Sequence, residues 1–127
     1  YGRHDVRRGQ AAQIGTMPFA ELLARLDAIP GLERIRYTSP HPLFFDDALI
    51  RAHGELERLC PHVHLPIQSG SNRILEAMRR RYTRERYLEI AAALKAARSD
   101  LVLTTDLIVG FPGETEQDFE DTLSIVT

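Results

Sequence analysis

One cysteine in 127 residues, Cys60, leaves no partner for an internal disulfide. It also leaves too few thiolates to hold an iron–sulfur cluster or a structural zinc unaided. No apolar run is long enough to cross a bilayer, and no signal-peptide pattern opens the chain. These absences predict a cytoplasmic protein with no membrane partner. A formal net charge of −2 provides no global basic field of the kind that draws in nucleic acid. Gly110-Phe111-Pro112-Gly113 lacks the Gly-Lys-Ser/Thr ending of a P-loop, so it gives no phosphate cradle. No Ser or Cys is set against a positioned His, and hydrolase readings find no support. Low-complexity segments and linkers are absent too.

What remains is ordinary globular composition, 43% hydrophobic and 27% charged, enough for one compact core. The chain opens at Tyr1 and stops at Thr127 inside an amphipathic pattern, which reads as a piece of a larger protein. Residues 1–16 are polar and read as a loop. Phe19, Leu22, Leu23, Leu26 and Ile29 recur at helical spacing, with Pro18 before them and Pro30-Gly31 after. Residues 33–39 predict a short strand. Residues 46–59 predict a helix with Leu49, Ile50, His53, Leu56 and Leu59 near one face. A strand over 62–68 follows, then a helix capped by Ser71 and carrying Ile74, Leu75 and Met78. Thr83 caps another, with Tyr87, Ile90, Leu94 and Ala97 on its buried side. Residues 101–109 form an apolar strand. Thr115 and Asp118 form an approximate capping box for a last helix, with Phe119, Leu123 and Val126 inward. Strands alternating with helices imply parallel β/α units. Three strands alone leave two open edges, so a larger open sheet or barrel is expected.

The strand at 101–109 carries an acid, Asp106, in an apolar run, where an unpaired charge costs several kcal/mol. Either Asp106 pairs internally in an ordinary strand–turn–helix, or it meets a ligand. The glycines after the strand allow close approach to the backbone at the carboxyl edge, where open α/β sheets and barrels place their sites. Alternation sorts the side chains. Val63, Leu65 and Ile67 suit the helix-covered side, leaving His62, His64, Pro66 and Gln68 on the other. Thr105, Leu107 and Val109 face the helices, leaving Thr104, Asp106, Ile108 and Gly110 on the lumen side. Gln68 and Asp106, near the carboxyl ends of their strands, are the leading ligand contacts. Cys60, His62 and His64 share a face without a usual zinc spacing, so polar packing is favoured over a metal site. His41, between two prolines, reads as a turn residue rather than a site residue. Arg73, Arg79, Arg80, Arg81, Arg84 and Arg86 form a local basic patch. It could meet RNA phosphates or a carboxylate, or simply be the solvated end of a helix. Glu114, Glu116, Asp118, Glu120 and Asp121 suit a helix start and carry no assigned chemistry.

Four motifs in order resemble a known family. They are Tyr37-Thr38-Ser39-Pro40-His41-Pro42, His64-Leu65-Pro66-Ile67-Gln68-Ser69-Gly70-Ser71, Met78-Arg79-Arg80 before Tyr82-Thr83, and Thr105 through Thr115. Together they resemble the radical S-adenosylmethionine methylthiotransferases, in particular the tRNA-modifying MiaB type, across essentially the whole chain. The resemblance implies an α/β fold, a fragment of a partial (β/α) TIM-like radical SAM barrel. Residues 1–127 would run from the loop after the second strand to the helix after the fifth. It implies S-adenosylmethionine and 4Fe-4S clusters as cofactors, an electron donor, and a tRNA anticodon loop as the partner of the parent protein. The chemistry implied is radical installation of a methylthio group on an adenosine beside the anticodon, one already carrying an isopentenyl group. By the same resemblance Gln68 contacts the ribose or amino-acid part of the cofactor. Arg80 pairs with the methionyl carboxylate, Asp106 bonds the ribose, and Ile108 and Gly110 lie beside the adenine.

The family's CxxxCxxC cluster motif is missing, and Cys60 does not replace it. The cluster ligands are therefore expected outside this chain, and the fragment alone is expected to be inactive. Arg81 stands where the family resemblance leads one to expect Gly before Tyr82. Ribosomal-protein and threonylcarbamoyladenosine methylthiotransferases remain as alternatives within the family. A non-catalytic RNA-binding α/β module using the arginine patch is the alternative outside it.

Overall fold

A computed structural model describes residues 17–38 and 41–126. The expected loop over residues 1–16, and Ser39 and Pro40 at the end of the first expected strand, lie outside the described residues. Helices α1 (Phe19–Asp27) and α2 (Asp47–Glu55), with a 3-10 turn over Pro42–Phe44 between them, precede strand β1 (His62–His64). Helices α3 (Asn72–Ala77) and α4 (Arg84–Ala97), strand β2 (Val102–Thr104) and helix α5 (Glu116–Leu123) follow. Four helices begin where a polar side chain accepts an otherwise unused N–H. Asp46 Oδ1 accepts from Leu49 N at 2.9 Å, Ser71 Oγ from Ile74 N at 3.4 Å and Thr83 Oγ1 from Arg86 N at 3.3 Å. At α5 the capping box is complete, since Asp118 Oδ2 accepts from Thr115 N at 2.8 Å.

β1 and β2 pair in parallel, His62 opposite Val102, Val63 opposite Leu103 and His64 opposite Thr104. Leu65 N continues the ladder to Thr104 O at 2.8 Å. Pro66 then has no N–H to give, and Ile67 N turns to the Thr105 hydroxyl at 3.0 Å. Pairing resumes when Gln68 N reaches Asp106 O at 3.0 Å and Ile108 N reaches Gln68 O at 2.8 Å. The next paired residues are Gln68 and Leu107, so four steps along one strand match three along the other. This is a bulge of one residue at Pro66-Ile67. The expected strands over 62–68 and 101–109 therefore appear as three paired residues each plus one bridge. The expected strand over 33–39 reduces to one bridge, Ile35 to Leu59. Pro61, directly after that contact, has no N–H with which to extend it.

The helix expected over 46–59 ends at Glu55, because the chain turns at Leu56 so that Leu59 can reach Ile35. α2 packs on α1 and on α4. At Gly54 a Cβ would lie 2.7 Å from Ala97 O, so only glycine permits this approach to α4. The core joins Leu23, Leu49, Leu59, Val63, Leu65, Ile67, Leu75, Ile90, Leu94 and Leu101. Val63, Leu65 and Ile67 are buried as alternation requires. Tyr87 donates its hydroxyl to Leu65 O at 3.0 Å and Tyr82 to Ile67 O at 2.8 Å. Two buried phenols thus satisfy carbonyls at the bulge that would otherwise be stranded.

Some expected core positions are exposed. Ile29 lies past the end of α1, and Ala97 lies in the last turn of α4. Leu123 and Val126 are also exposed, and Phe119 is only half-buried. The inward side of α5 is polar instead, with Asp118 and Thr122 buried. Thr122 Oγ1 accepts from Gly70 N at 2.9 Å, and Ser71 donates to Asp118 Oδ1 at 2.5 Å.

Candidate functional site

The bulge determines what the carboxyl edge of the sheet presents. Gln68, just beyond it, has φ of 75°, in the left-handed region that non-glycine residues enter at a cost. Bonds to Asp106 O and from Ile108 N lock this conformation. Gln68, Asp106 and Ile108 therefore share one patch of backbone. Gly110 follows with φ of 78° and open space where a Cβ would stand.

Arg80 lies just past the end of α3, near His41 and Tyr82. α3 ends in a Schellman turn, with Arg79 at φ of 57°, Arg79 N bonded to Glu76 O and Arg80 N to Leu75 O, both at 2.8 Å. Its charge is felt by both His41 and Tyr82, whose rings meet edge-on at 5.1 Å. Tyr82 is itself bonded to Ile67 O, one residue before Gln68. Burial, and then Arg80, lowers the pKa of His41. Arg80 Nε is buried without a hydrogen-bond partner among the described residues. His41 caps the 3-10 turn through Nδ1, which accepts from Leu43 N at 3.3 Å, so its role as a turn residue holds.

Asp106 is not the buried charge that its apolar strand suggested. Its side chain is 63% exposed, because nothing among the described residues covers that face, and its partner is His64 Nε2 at 3.2 Å. Val109, expected against the helices, is 62% exposed because the chain leaves the sheet after Leu107. His62 and His64 both bond to the Thr104 hydroxyl, at 3.2 and 2.9 Å. Among the described residues no three metal-binding side chains converge, and Cys60 joins no such group.

Two acids that had no assigned chemistry hold the loop after β2. Glu114 Oε2 accepts from the backbone N–H of Gly110 and from that of Phe111, the latter at 3.1 Å. The only sequence signal for this was an acid four residues after Gly110. Asp118 accepts from Arg73, Ser71 and Thr115. Those bonds, led by Arg73, hold its carboxyl well below the usual carboxylate range. Arg73 also donates to Gly113 O at 2.7 Å.

Residues 14–126 match the Radical SAM superfamily. The chain belongs to that superfamily. Its curated relatives include proteins named tRNA-2-methylthio-N(6)-dimethylallyladenosine synthase. The one from Opitutus terrae is 59% identical over 96% of this chain and 25% of its own length. That from Moorella thermoacetica is 55% identical over 99% of this chain and 27% of its own. A Mycobacterium relative is 53% identical over 98% and 24%. The chain thus spans about a quarter of the length of these relatives.

In this radical SAM chain part of the arginine patch is internal fastening. Arg73 holds Asp118, and Arg86 pairs with Glu89 at 3.0 Å. Arg84 donates to Gly70 O at 3.3 Å, Asp121 O at 2.5 Å and Ser124 Oγ at 2.8 Å. Half of the six arginines are therefore committed, which weakens the reading of an RNA-binding module built on them. Among the described residues no helix is long and apolar enough to cross a membrane.

Proposed function

We propose that the protein carrying this chain is a tRNA methylthiotransferase. It installs a methylthio group on the isopentenylated adenosine beside the anticodon, and residues 1–127 form part of its radical SAM catalytic domain. The curated relatives and the grouping of Gln68, Asp106 and Ile108 at one edge, with Gly110 following, support this reading. The single observation that carries it is the buried Arg80 Nε, which has no hydrogen-bond partner among the described residues. A guanidinium N–H without an acceptor costs free energy until an anion arrives.

These residues fit S-adenosylmethionine. Arg80 would hold its carboxylate, Gln68 its ribose or amino-acid part, Asp106 a ribose hydroxyl, and Ile108 and Gly110 its adenine. Bound beside a reduced 4Fe-4S cluster, the cofactor supplies the radical chemistry. The residues do not fit the cluster, since Cys60 is the one thiolate, and its ligands belong elsewhere in the protein. This chain's contribution is to bind, orient and fix one face of the cofactor. Anticodon-loop tRNA, an electron donor and a cytoplasmic setting complete the proposal.

The test uses the full-length protein, reconstituted anaerobically with iron and sulfide, then given reductant and S-adenosylmethionine. Deoxyadenosine should form, and Asp106→Ala should reduce it about 10- to 100-fold at sub-saturating cofactor, the loss of one hydrogen bond to a charged group. A protein with an intact cluster that forms none would overturn the assignment.

A further inference from the structure

With Asp106 ionised and the His64 ring neutral, the hydrogen bonds on the exposed face of the sheet run in one direction. An ionised Asp106 can only accept, so His64 Nε2, 3.2 Å from Asp106 Oδ2, carries the proton. In the neutral ring Nδ1 is then an acceptor, and the Thr104 hydroxyl 2.9 Å away donates to it. Having donated, Thr104 Oγ1 accepts from His62 Nε2 at 3.2 Å. Every link runs the same way, from His62 to Thr104 to His64 to Asp106. The parallel register that sets His64 opposite Thr104 builds this row.

We infer that His64, oriented by Thr104 and His62, is a positioning residue that fixes the Asp106 carboxylate so that its other oxygen accepts a ligand sugar hydroxyl. This rests on the proposed role of Asp106. A carboxylate 63% exposed would otherwise rotate freely, and His64, only 29% exposed, ties one oxygen down. Fixing Oδ2 leaves Oδ1 as the oxygen a sugar hydroxyl would meet, beside the backbone where Gln68 and Ile108 pair. Pre-ordering a group in this way improves affinity by cutting the cost of ordering it on binding.

The experiment measures equilibrium binding to the full-length protein of S-adenosylhomocysteine and of its 2′-deoxy and 3′-deoxy counterparts. The wild type should prefer the intact ribose, and Asp106→Ala should erase that preference. His64→Ala should cut the preference about five- to tenfold, the size of one modest hydrogen bond. His64→Gln, whose amide N–H can still reach Asp106, should restore most of it. If Asp106→Ala erases the preference while His64→Ala keeps it in full, the inference fails and the site reading stands. Uniform weakening of all three ligands in both His64 variants, with the preference unchanged, also overturns it, because His64 would then be merely structural. A preference untouched by Asp106→Ala defeats both the site reading and the inference.

Discussion

His53 shows how one buried side chain ties local sequence to the behaviour of the whole chain. It is fully buried on α2, with Tyr37 on its Nε2, and its Nδ1 has no partner among the described residues. Burial, and then Arg98, lowers its pKa to about 4 from the usual 6.5. Between those values the unfolded chain binds the proton and the folded chain does not. Stability is therefore fully present above about pH 6.5 and falls as pH drops toward 4. From pH 7 to pH 5 the loss should be about 2 kcal/mol from this group. Urea midpoints of the chain at the two pH values read it, and His53→Gln should flatten that part of the slope. An equal slope in the variant would remove His53 as the cause. Helical spacing placed His53 on the inward side of its helix. It could not supply Tyr37, sixteen residues away, as the partner.

At the scale of elements, local signals were legible and long-range ones were not. Ser71, Thr83 and the Thr115–Asp118 pair could be read as caps because each acts within three residues. The side-chain alternation of β1 and β2 was legible for the same reason. The bulge was not, although Pro66 was visible, because its effect depends on Thr105 in the opposite strand. The inward side of α5 was misread because apolar periodicity favoured Leu123, whereas Arg73 and Gly70, far away in sequence, recruit Asp118 and Thr122. Gly70 makes this docking possible. A Cβ there would stand 2.3 Å from Asp121 O and 2.6 Å from Thr122 Cα, backbone atoms that cannot swing aside. Gly70→Ala should cost about 3 kcal/mol, at the upper end of ordinary overpacking. It should also speed hydrogen exchange over residues 116–123 more than in α1. Equal protection of α5 in variant and parent would show that the helix docks by other means.

Across the whole molecule, the core and the proposed site use different residues, so stability and ligand response can be separated. The core lies between the sheet and α1, α2 and α4, and Leu94 is fully buried in it. The candidate site lies on the opposite, uncovered face, where Ile108 and Asp106 meet solvent. The four proposed positions Gln68, Asp106, Ile108 and Gly110 came from alternation and the carboxyl-edge rule, which are properties of any parallel sheet. Proposing Arg80 needed the family resemblance, because the left-handed turn at Arg79 that sets its backbone is disguised in the sequence by a non-glycine residue. A ligand at 100 times its Kd adds about 2.7 kcal/mol to the stability of the state that binds it. In the full-length protein, Leu94→Ala should lower the ligand-free thermal midpoint, since such truncations cost about 2–5 kcal/mol. It should leave the upward shift caused by S-adenosylhomocysteine intact. Gln68→Gly should do the reverse. It relieves a left-handed conformation worth about 1 kcal/mol, so the ligand-free midpoint holds or rises, while the ligand-induced shift shrinks. A Gln68→Gly protein that kept the full shift would show that the strain at Gln68 serves the sheet rather than the cofactor.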